Sequence, residues 1–466
     1  MRAFKDLRLV GPALGALDDP HGEVAELIMQ HVLPLYGQAI LPELRERLNL
    51  QGKTGHERRL RLMHQLDPDG TREIVKRALD EGSKGMRVVA IECLGSSPED
   101  LSFLLEQSKA KAKDVRLAAM KALAKSSSDE AAQVLCKAIQ SAELEAASAP
   151  IRDSQHPLVV KTLIEQTKAE WCEFLASDLK DREAISKRAT RLLLLLDCFR
   201  QKNDKPSITF LQELFADRNK LASIKGDPGG QDVHRRLVLL LSVGPAVLQK
   251  IVIGVHKTLT EDELADVFWA ACKLLSQAEL FETFSPYLTA PFDAKKKGNP
   301  AFLRRKAIIE GICHPYRWRW YHRQFIIDTK DDAPILYDLR WLDLALDQRI
   351  EELANVLATS GHKRCLLLLS QWFEEKLVTS TNLNELQELV RAMTRIKHPK
   401  ATDAVIATIK KFSASNSYYS LYAIGQSITE LPKASLPQLE AMLSTLSDKM
   451  IDQLLDYMTQ LKTRPE

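Results

Sequence analysis

Three stretches of this chain, residues 57–66, 85–94 and 114–123, align on one another without a gap. Each carries an arginine, Arg59, Arg87 or Arg116, with a leucine seven residues later, Leu66, Leu94 or Leu123. Arg59 to Arg87 is 28 residues and Arg87 to Arg116 is 29. A period of that length holds two helices of about ten to twelve residues and their turns. A fourth copy lies upstream, where Val24-Ala25 follows the turn Asp18-Asp19-Pro20 and Val32 stands seven residues after Ala25, which replaces the arginine. One such helix pair cannot bury its own apolar face, so the copies must stack.

Within a copy the apolar residues fall at helical spacing, as in Val115, Ala119, Ala122 and Leu123, with Arg116 and Lys121 on other faces. Breaker clusters at 67–71 and 96–100 mark helix starts between copies. Composition agrees: glycine is 19 of 466 residues and aromatics are 6%, too sparse for the turn-dense sandwiches, barrels and propellers. The expected class is all-α. Downstream helices are expected at 158–176, 182–199, 260–276, 338–358, 363–377, 384–397, 401–412, 436–446 and 448–461, separated by short polar or Pro/Gly loops.

These residues carry a resemblance. A helix ending in Leu, an Asp-bearing turn, then Val-Arg with a small residue three later and Leu four beyond resembles the HEAT repeat. The short period is similar to that of the bacterial lyase-type HEAT subfamily. The likeness covers residues 1–140, and the best late match is 231–237, with Val233, Arg235, Arg236 and Leu237. It implies a ladder of turn aspartates and arginines between neighbouring repeats, a role that would carry to Asp18 or Asp19, Arg87, Asp114 and Arg116, but not to Ala25.

Charge and cysteine usage narrow the partners. Lys plus Arg is 65 against 62 Asp plus Glu, a net charge of +3, too weak a field to make nucleic acid or an acidic membrane the default partner. Seven scattered cysteines, none within four residues of another, form no disulfide framework or zinc knuckle. They read as reduced thiols packed as small hydrophobes in a cytoplasmic protein. The first eight residues mix charges where an export signal needs an apolar run, although Phe4, Leu7, Leu14 and Leu17 line one face as a repeat cap would. The apolar stretch 237–255 contains Ser242, Pro245, Gln249 and Lys250, and a mid-membrane lysine alone costs about 2.5–3.5 kcal/mol. It reads as two buried helices joined at Gly244-Pro245, with no membrane span.

Catalytic motifs are wanting. The Gly-rich stretch 226–230 lacks the Gly-Lys-Ser/Thr pattern that cradles phosphate and reads as a turn. No Gly-x-Ser-x-Gly, His-Glu-x-x-His or Cys-x-x-Cys occurs. Deoxyhypusine hydroxylase resembles this architecture and holds two irons through repeated His-Glu pairs. Here His56-Glu57 stands alone, the equivalent positions being Lys84-Gly85 and Lys113-Asp114, so the ligands for two metals are missing. Bilin lyases share the short repeats, but no carboxylate is singled out for their chemistry. No cofactor or metal is expected.

One segment is anomalous. Residues 295–323 hold nine Lys and Arg against the single acid Glu310, and Tyr316, Trp318, Trp320 and Tyr321 interleave with them. The candidate binding residues are Arg304, Arg305, Lys306, Arg317, Trp318, Arg319, Trp320, Tyr321 and Arg323. Such a mix holds phosphates and stacks exposed bases, and helical-repeat DNA glycosylases resemble it in using Trp, Arg and Asp on a concave helical surface. It equally forms cation–π contacts inside a fold, facing the acidic stretch 331–352, or a protein-binding surface. Cys313 and His314 with His322 supply three metal ligands without a fourth.

The expected product is a right-handed α-solenoid of stacked antiparallel helix pairs: regular HEAT-like repeats over 1–140, a linker or irregular loop over 141–157, and degenerate helical repeats continuing the same solenoid over 158–466. The expected function is a non-enzymatic protein-interaction scaffold or adaptor using a concave surface. The alternative is a nucleic-acid-binding or DNA-repair protein using 295–323. By the resemblance, partners include ATPase and von Willebrand A-type proteins, as for chaperone-like assemblies.

Overall fold

The structure, a computed structural model, describes residues 7–95, 98–291, 298–313, 337–413 and 418–464. Among them there is no strand. The chain divides into two compact units, residues 1–254 and 255–466.

The first unit opens with three short helices, α1 (Val10–Gly15), α2 (Gly22–Leu27) and α3 (Leu41–Glu46), with a π-helical turn at Ile28–Val32 and 3-10 turns at Ala16–Asp18 and Leu33–Ile40 between them. Leu14, Leu17, Leu33 and Leu44 from this region bury against Leu62 and Met63 of α4 (Thr54–Leu66). Then follow α5 (Arg72–Glu81), α6 (Lys84–Cys93), α7 (Leu101–Gln107), α8 (Lys113–Leu123), α9 (Asp129–Gln140), α10 (Leu144–Asp153), α11 (Pro157–Leu175), α12 (Arg182–Asp197), α13 (Lys205–Ala216), α14 (Gly230–Val243) and α15 (Ala246–Gly254). From α4 onward the even helices α4, α6, α8, α10, α12 and α14 each pack on the next, and α7, α9, α11 and α13 do the same. The two rows are joined by pairs such as α5 with α6, α7 with α8 and α11 with α12. Each helix thus meets only near neighbours in the chain, which is how stacked helical repeats hold together.

The repeat register explains the stacking. Leu60, Val75, Ala78, Met86, Val89, Ala90, Leu104, Ala118, Ala119, Leu123 and Ala131 form one buried cluster spanning α4 to α9. Small residues let α6 and α8 approach. Between them Gly95 holds a φ of +104°, and a side chain there would meet the backbone carbonyl of Ala122. Ala119 is fully buried in the cluster, so Ala119→Leu is expected to overpack the stack and cost about 1–3 kcal/mol. An unchanged melting temperature would show that α8 packs in another register.

Helix starts use their own side chains. The Ser83 hydroxyl accepts the Met86 N–H at the start of α6, Ser128 accepts that of Ala131 at α9, and Asp204 that of Ser207 at α13. The stretch 141–157 contains α10, although its small residues and Pro150 suggest a loop. Pro150 forgoes one helical hydrogen bond, but Leu144, Ala147 and Ile151 are buried, and that burial keeps the helix. The apolar stretch from Leu237 forms α14 and α15, parted at Gly244-Pro245 as its residues indicate. Among the described residues no helix is long and apolar enough to cross a membrane.

The second unit repeats the two-row plan. Helices Glu261–Leu274, Pro300–Cys313, Glu351–Leu357, Leu383–Arg395, Tyr418–Glu430 and Asp448–Thr463 pack successively in one row, and Arg340–Asp347, Lys363–Thr379 and Ala401–Ser413 in the other. The single helix expected over 338–358 is two, because Arg349 takes a φ of +49° between them. Glu351 and Glu375 hold its guanidinium there, 3.2 and 2.6 Å away.

Candidate interaction face

The even row of the first unit is tied across its exposed side by ion pairs between successive repeats. Arg61 on α4 donates through Nε to Glu92 Oε2 on α6 at 2.8 Å, and Lys121 Nζ on α8 reaches Glu92 Oε1 at 2.9 Å. Nearer the helix starts, Lys84 on α6 pairs with Asp114 on α8 at 2.9 Å. Burial alone would raise the Glu92 pKa, but the hydrogen bonds and charges of Arg61 and Lys121 outweigh it and hold the carboxyl below its usual 4.5. His64, one turn beyond Arg61, is held below its ordinary pKa by burial and by Lys125.

A depressed carboxylate pKa stabilises the fold above its unfolded value and loses that contribution as pH falls through the folded one. Glu92 is therefore expected to make stability fall below about pH 4.5. Glu92→Gln should lower the melting temperature at pH 7 and bring the two proteins closer together at pH 3. Equal differences at both pH values would mean that the carboxylate charge contributes nothing.

The repeat arginines do not share one partner. Arg59 is buried, 3% exposed, and grips both carboxylate oxygens of Asp18, a rung between the first two copies. Arg87 donates to the Asp80 carbonyl at 3.2 Å, and Arg116 pairs with Glu143 at 2.9 Å. Asp19 bonds His21 instead. Asp18 thus has the ladder role with an arginine, whereas Asp114 bridges to Lys84 of the preceding repeat and Arg87 and Arg116 take the Asp80 carbonyl and Glu143. A second rung, Arg61–Glu92–Lys121, uses positions that no arginine motif marks.

A second buried charge ties α10 to the turn after α12. Lys202, 2% exposed, donates through Nζ to the carbonyls of Ile151 at 2.9 Å, Arg152 at 3.0 Å and Ser154. These lie at the α10 C-terminus, where unbonded carbonyls and the helix dipole favour a cation. Burial draws the lysine pKa down to about 8.

Of the segment 295–323, the structure places Arg304, Arg305 and Lys306 on helix Pro300–Cys313. Arg304 donates to the Leu259 carbonyl at 2.8 Å and Arg305 to that of Leu288 at 2.6 Å, so both tie this helix to its neighbours. Lys306 sits 3.6 Å from Glu310. Arg317, Trp318, Arg319, Trp320, Tyr321 and Arg323 lie outside the described residues, as do His314, His322, Asp331 and Asp332. The described acids of 331–352 pair nearby: Asp338 with Arg340, Asp343 with His362, Asp347 with Arg364 and Glu351 with Lys376. A polar hollow of about 470 Å³ beside Arg349, Glu351, Glu375, Lys376 and Glu385 has these five charges closed on one another. His56 accepts the Asn49 N–H at 3.1 Å through Nδ1. The stretch 226–230 is a turn, closed by Gly230 N–H to the Ile224 carbonyl and by Gly229 N–H to Asp232.

Comparison with known proteins gives two likenesses. A family model described as the PBS lyase HEAT-like repeat matches residues 115–141, which are α8, α9 and the turn between them. No curated protein matches the chain in sequence. Among solved structures, the S. pombe condensin Cnd3-Cnd2 subcomplex is similar over 97% of this chain and 72% of that chain, at 12% identity and a TM-score of 0.24. The chain is thus an all-α protein of helices stacked in two rows, of which residues 115–141 match the HEAT-like repeat.

Proposed function

We propose that this chain is a non-enzymatic scaffold that holds a partner protein on the exposed sides of its helix rows. The observation that carries this reading is the stacking itself: helices that share one apolar core and pack only on near neighbours leave an outer side that runs over several repeats. Glu92 and Lys202, whose pKa values are both lowered, join helices to one another. The seven free cysteines suit a reducing compartment such as the cytoplasm. The HEAT-like resemblance adds ATPase and von Willebrand A-type proteins as partner classes.

Capture on tagged full-length chain, with and without nuclease, followed by mass spectrometry tests the reading. A discrete protein retained after nuclease treatment is expected. Changing Arg317, Arg319 and Arg323 together to Glu separates the nucleic-acid alternative. A scaffold keeps its fold and shows no tight binding of DNA or RNA at 150 mM salt in either form. Tight, salt-steep binding by the wild type that the variant loses would replace the scaffold by a nucleic-acid protein.

A further inference from the structure

The two rows of the first repeats carry opposite charge. Over residues 54–66, 84–94 and 111–125, which contain α4, α6 and α8, there are ten Lys and Arg against three acids, Glu57, Glu92 and Asp114. Over 67–82 and 98–108, which contain α5 and α7, there are three Lys and Arg against eight acids. The neighbouring rows therefore differ in sign although the whole chain is close to neutral.

Exposure sharpens the contrast. Lys84, Arg87, Lys111, Lys113, Lys121 and Lys125 are exposed, while of the three acids only Asp114 is. Glu92 is recessed, its side chain 14% exposed, and already clamped by Arg61 and Lys121. The ion pairs across α4, α6 and α8 put Arg61, Lys84, Glu92, Asp114 and Lys121 on one side of the row, whereas Arg87 reaches the Asp80 carbonyl on α5. An approaching anion therefore meets cations from successive repeats.

We propose that this side of α4, α6 and α8 docks an acidic segment of the partner protein. The proposal rests on the scaffold reading and names the chemistry of its partner. Packed helices stand about 8–10 Å apart. A segment in the polyproline II conformation, with three residues per turn and about 3.1 Å per residue, returns every third side chain to one face about every 9 Å, so Asp or Glu at that spacing meets each cationic ridge in turn. Nucleic acid suits the surface less well. No Phe, Tyr or Trp occurs in 54–66, 84–94 or 111–125, which leaves no platform for unpaired bases. A duplex, with one charge per about 1.7 Å of axis, would lay further phosphates over Glu57 and Asp114, whereas a short acidic segment can place its few carboxylates between them.

The test measures fluorescence anisotropy on the full chain with two probes, a labelled 18-residue peptide bearing Glu at every third position and a labelled 20-base-pair duplex. The wild type is expected to bind the peptide more tightly than the duplex, with affinity falling as salt rises. Lys84→Glu, Lys113→Glu and Lys125→Glu together should weaken peptide binding at least tenfold. Lys76→Glu with Arg77→Glu, on α5, should leave it within twofold. If the triple reversal does not fold, Lys→Gln at the same three positions is the variant to measure, with at least a threefold loss expected. Absence of peptide binding, a folded triple variant within twofold of wild type, or a duplex held more tightly than the peptide would each overturn the proposal. The scaffold reading fails separately. A captured protein partner still retained by the triple variant keeps the scaffold and removes the acidic docking site. Peptide binding with no protein partner recovered does the reverse.

Discussion

Replacing Lys202 with Met is expected to lower the stability of the first unit by about 3–5 kcal/mol. The ammonium satisfies the carbonyls of Ile151, Arg152 and Ser154 together. A hydrogen bond from a charged donor is worth about 1.5–3 kcal/mol, and a buried acceptor left unbonded costs about 1–3 kcal/mol. Removing the buried charge recovers some desolvation energy, so the loss stays below the sum of three bonds. For a unit of this size the melting temperature should fall by roughly 10 °C. Lys161→Met, an exposed site on α11, should change stability by less than about 0.5 kcal/mol. Equal, small effects at both positions would mean that Lys202 does not hold α10 in place.

In the second unit the largest effect is expected at Trp341. It is fully buried on helix Arg340–Asp347, and its ring meets Phe281 edge-on with centroids 5.1 Å apart. Trp341→Ala should cost about 3–5 kcal/mol through lost contacts and the cavity left behind. Trp341→Phe keeps the ring contact and removes a buried indole N–H that has no hydrogen-bond partner among the described residues, so it should cost less than about 2 kcal/mol. Denaturant titration of both variants checks the order. A Phe variant as unstable as the Ala variant would point to overriding shape constraints around the indole.

The regular repeats were legible because their pattern is local. Leu60, Ala90, Ala119 and Leu123 recur at helical spacing, and the structure buries all four in one cluster. The turn at 226–230 and the break at Gly244-Pro245 were legible for the same reason, since glycine and proline act on their own backbone. What escaped depends on neighbours distant in sequence. Helix α10 survives Pro150 only because Leu144, Ala147 and Ile151 find a buried place. The break at Arg349 has no glycine or proline to announce it, and Glu375, on another helix, helps to hold it.

The proposed interaction surface shows the same division. Composition drew the eye to 295–323, yet Arg304 and Arg305 there donate to backbone carbonyls of the fold, which charge counting along the chain cannot reveal. The cationic side of α4, α6 and α8 is spread over three repeats separated by acidic helices, so any continuous window averages it away. Only the assignment of helices to rows brings Lys84, Lys121 and Lys125 into one field. The spacing of 29 residues between Glu92 and Lys121 carried the signal, since it equals one repeat.

Site-directed crosslinking tests most directly whether this protein works by holding another protein on that row. A photoreactive residue in place of Val88, half-buried on α6 between Lys84 and Glu92, is compared in the source cell with one in place of Arg77, exposed on α5 of the other row. A discrete protein adduct through position 88 that resists nuclease, with none through position 77, is the expected result. Adducts equal at both positions, or one at position 88 that nuclease removes, would contradict it.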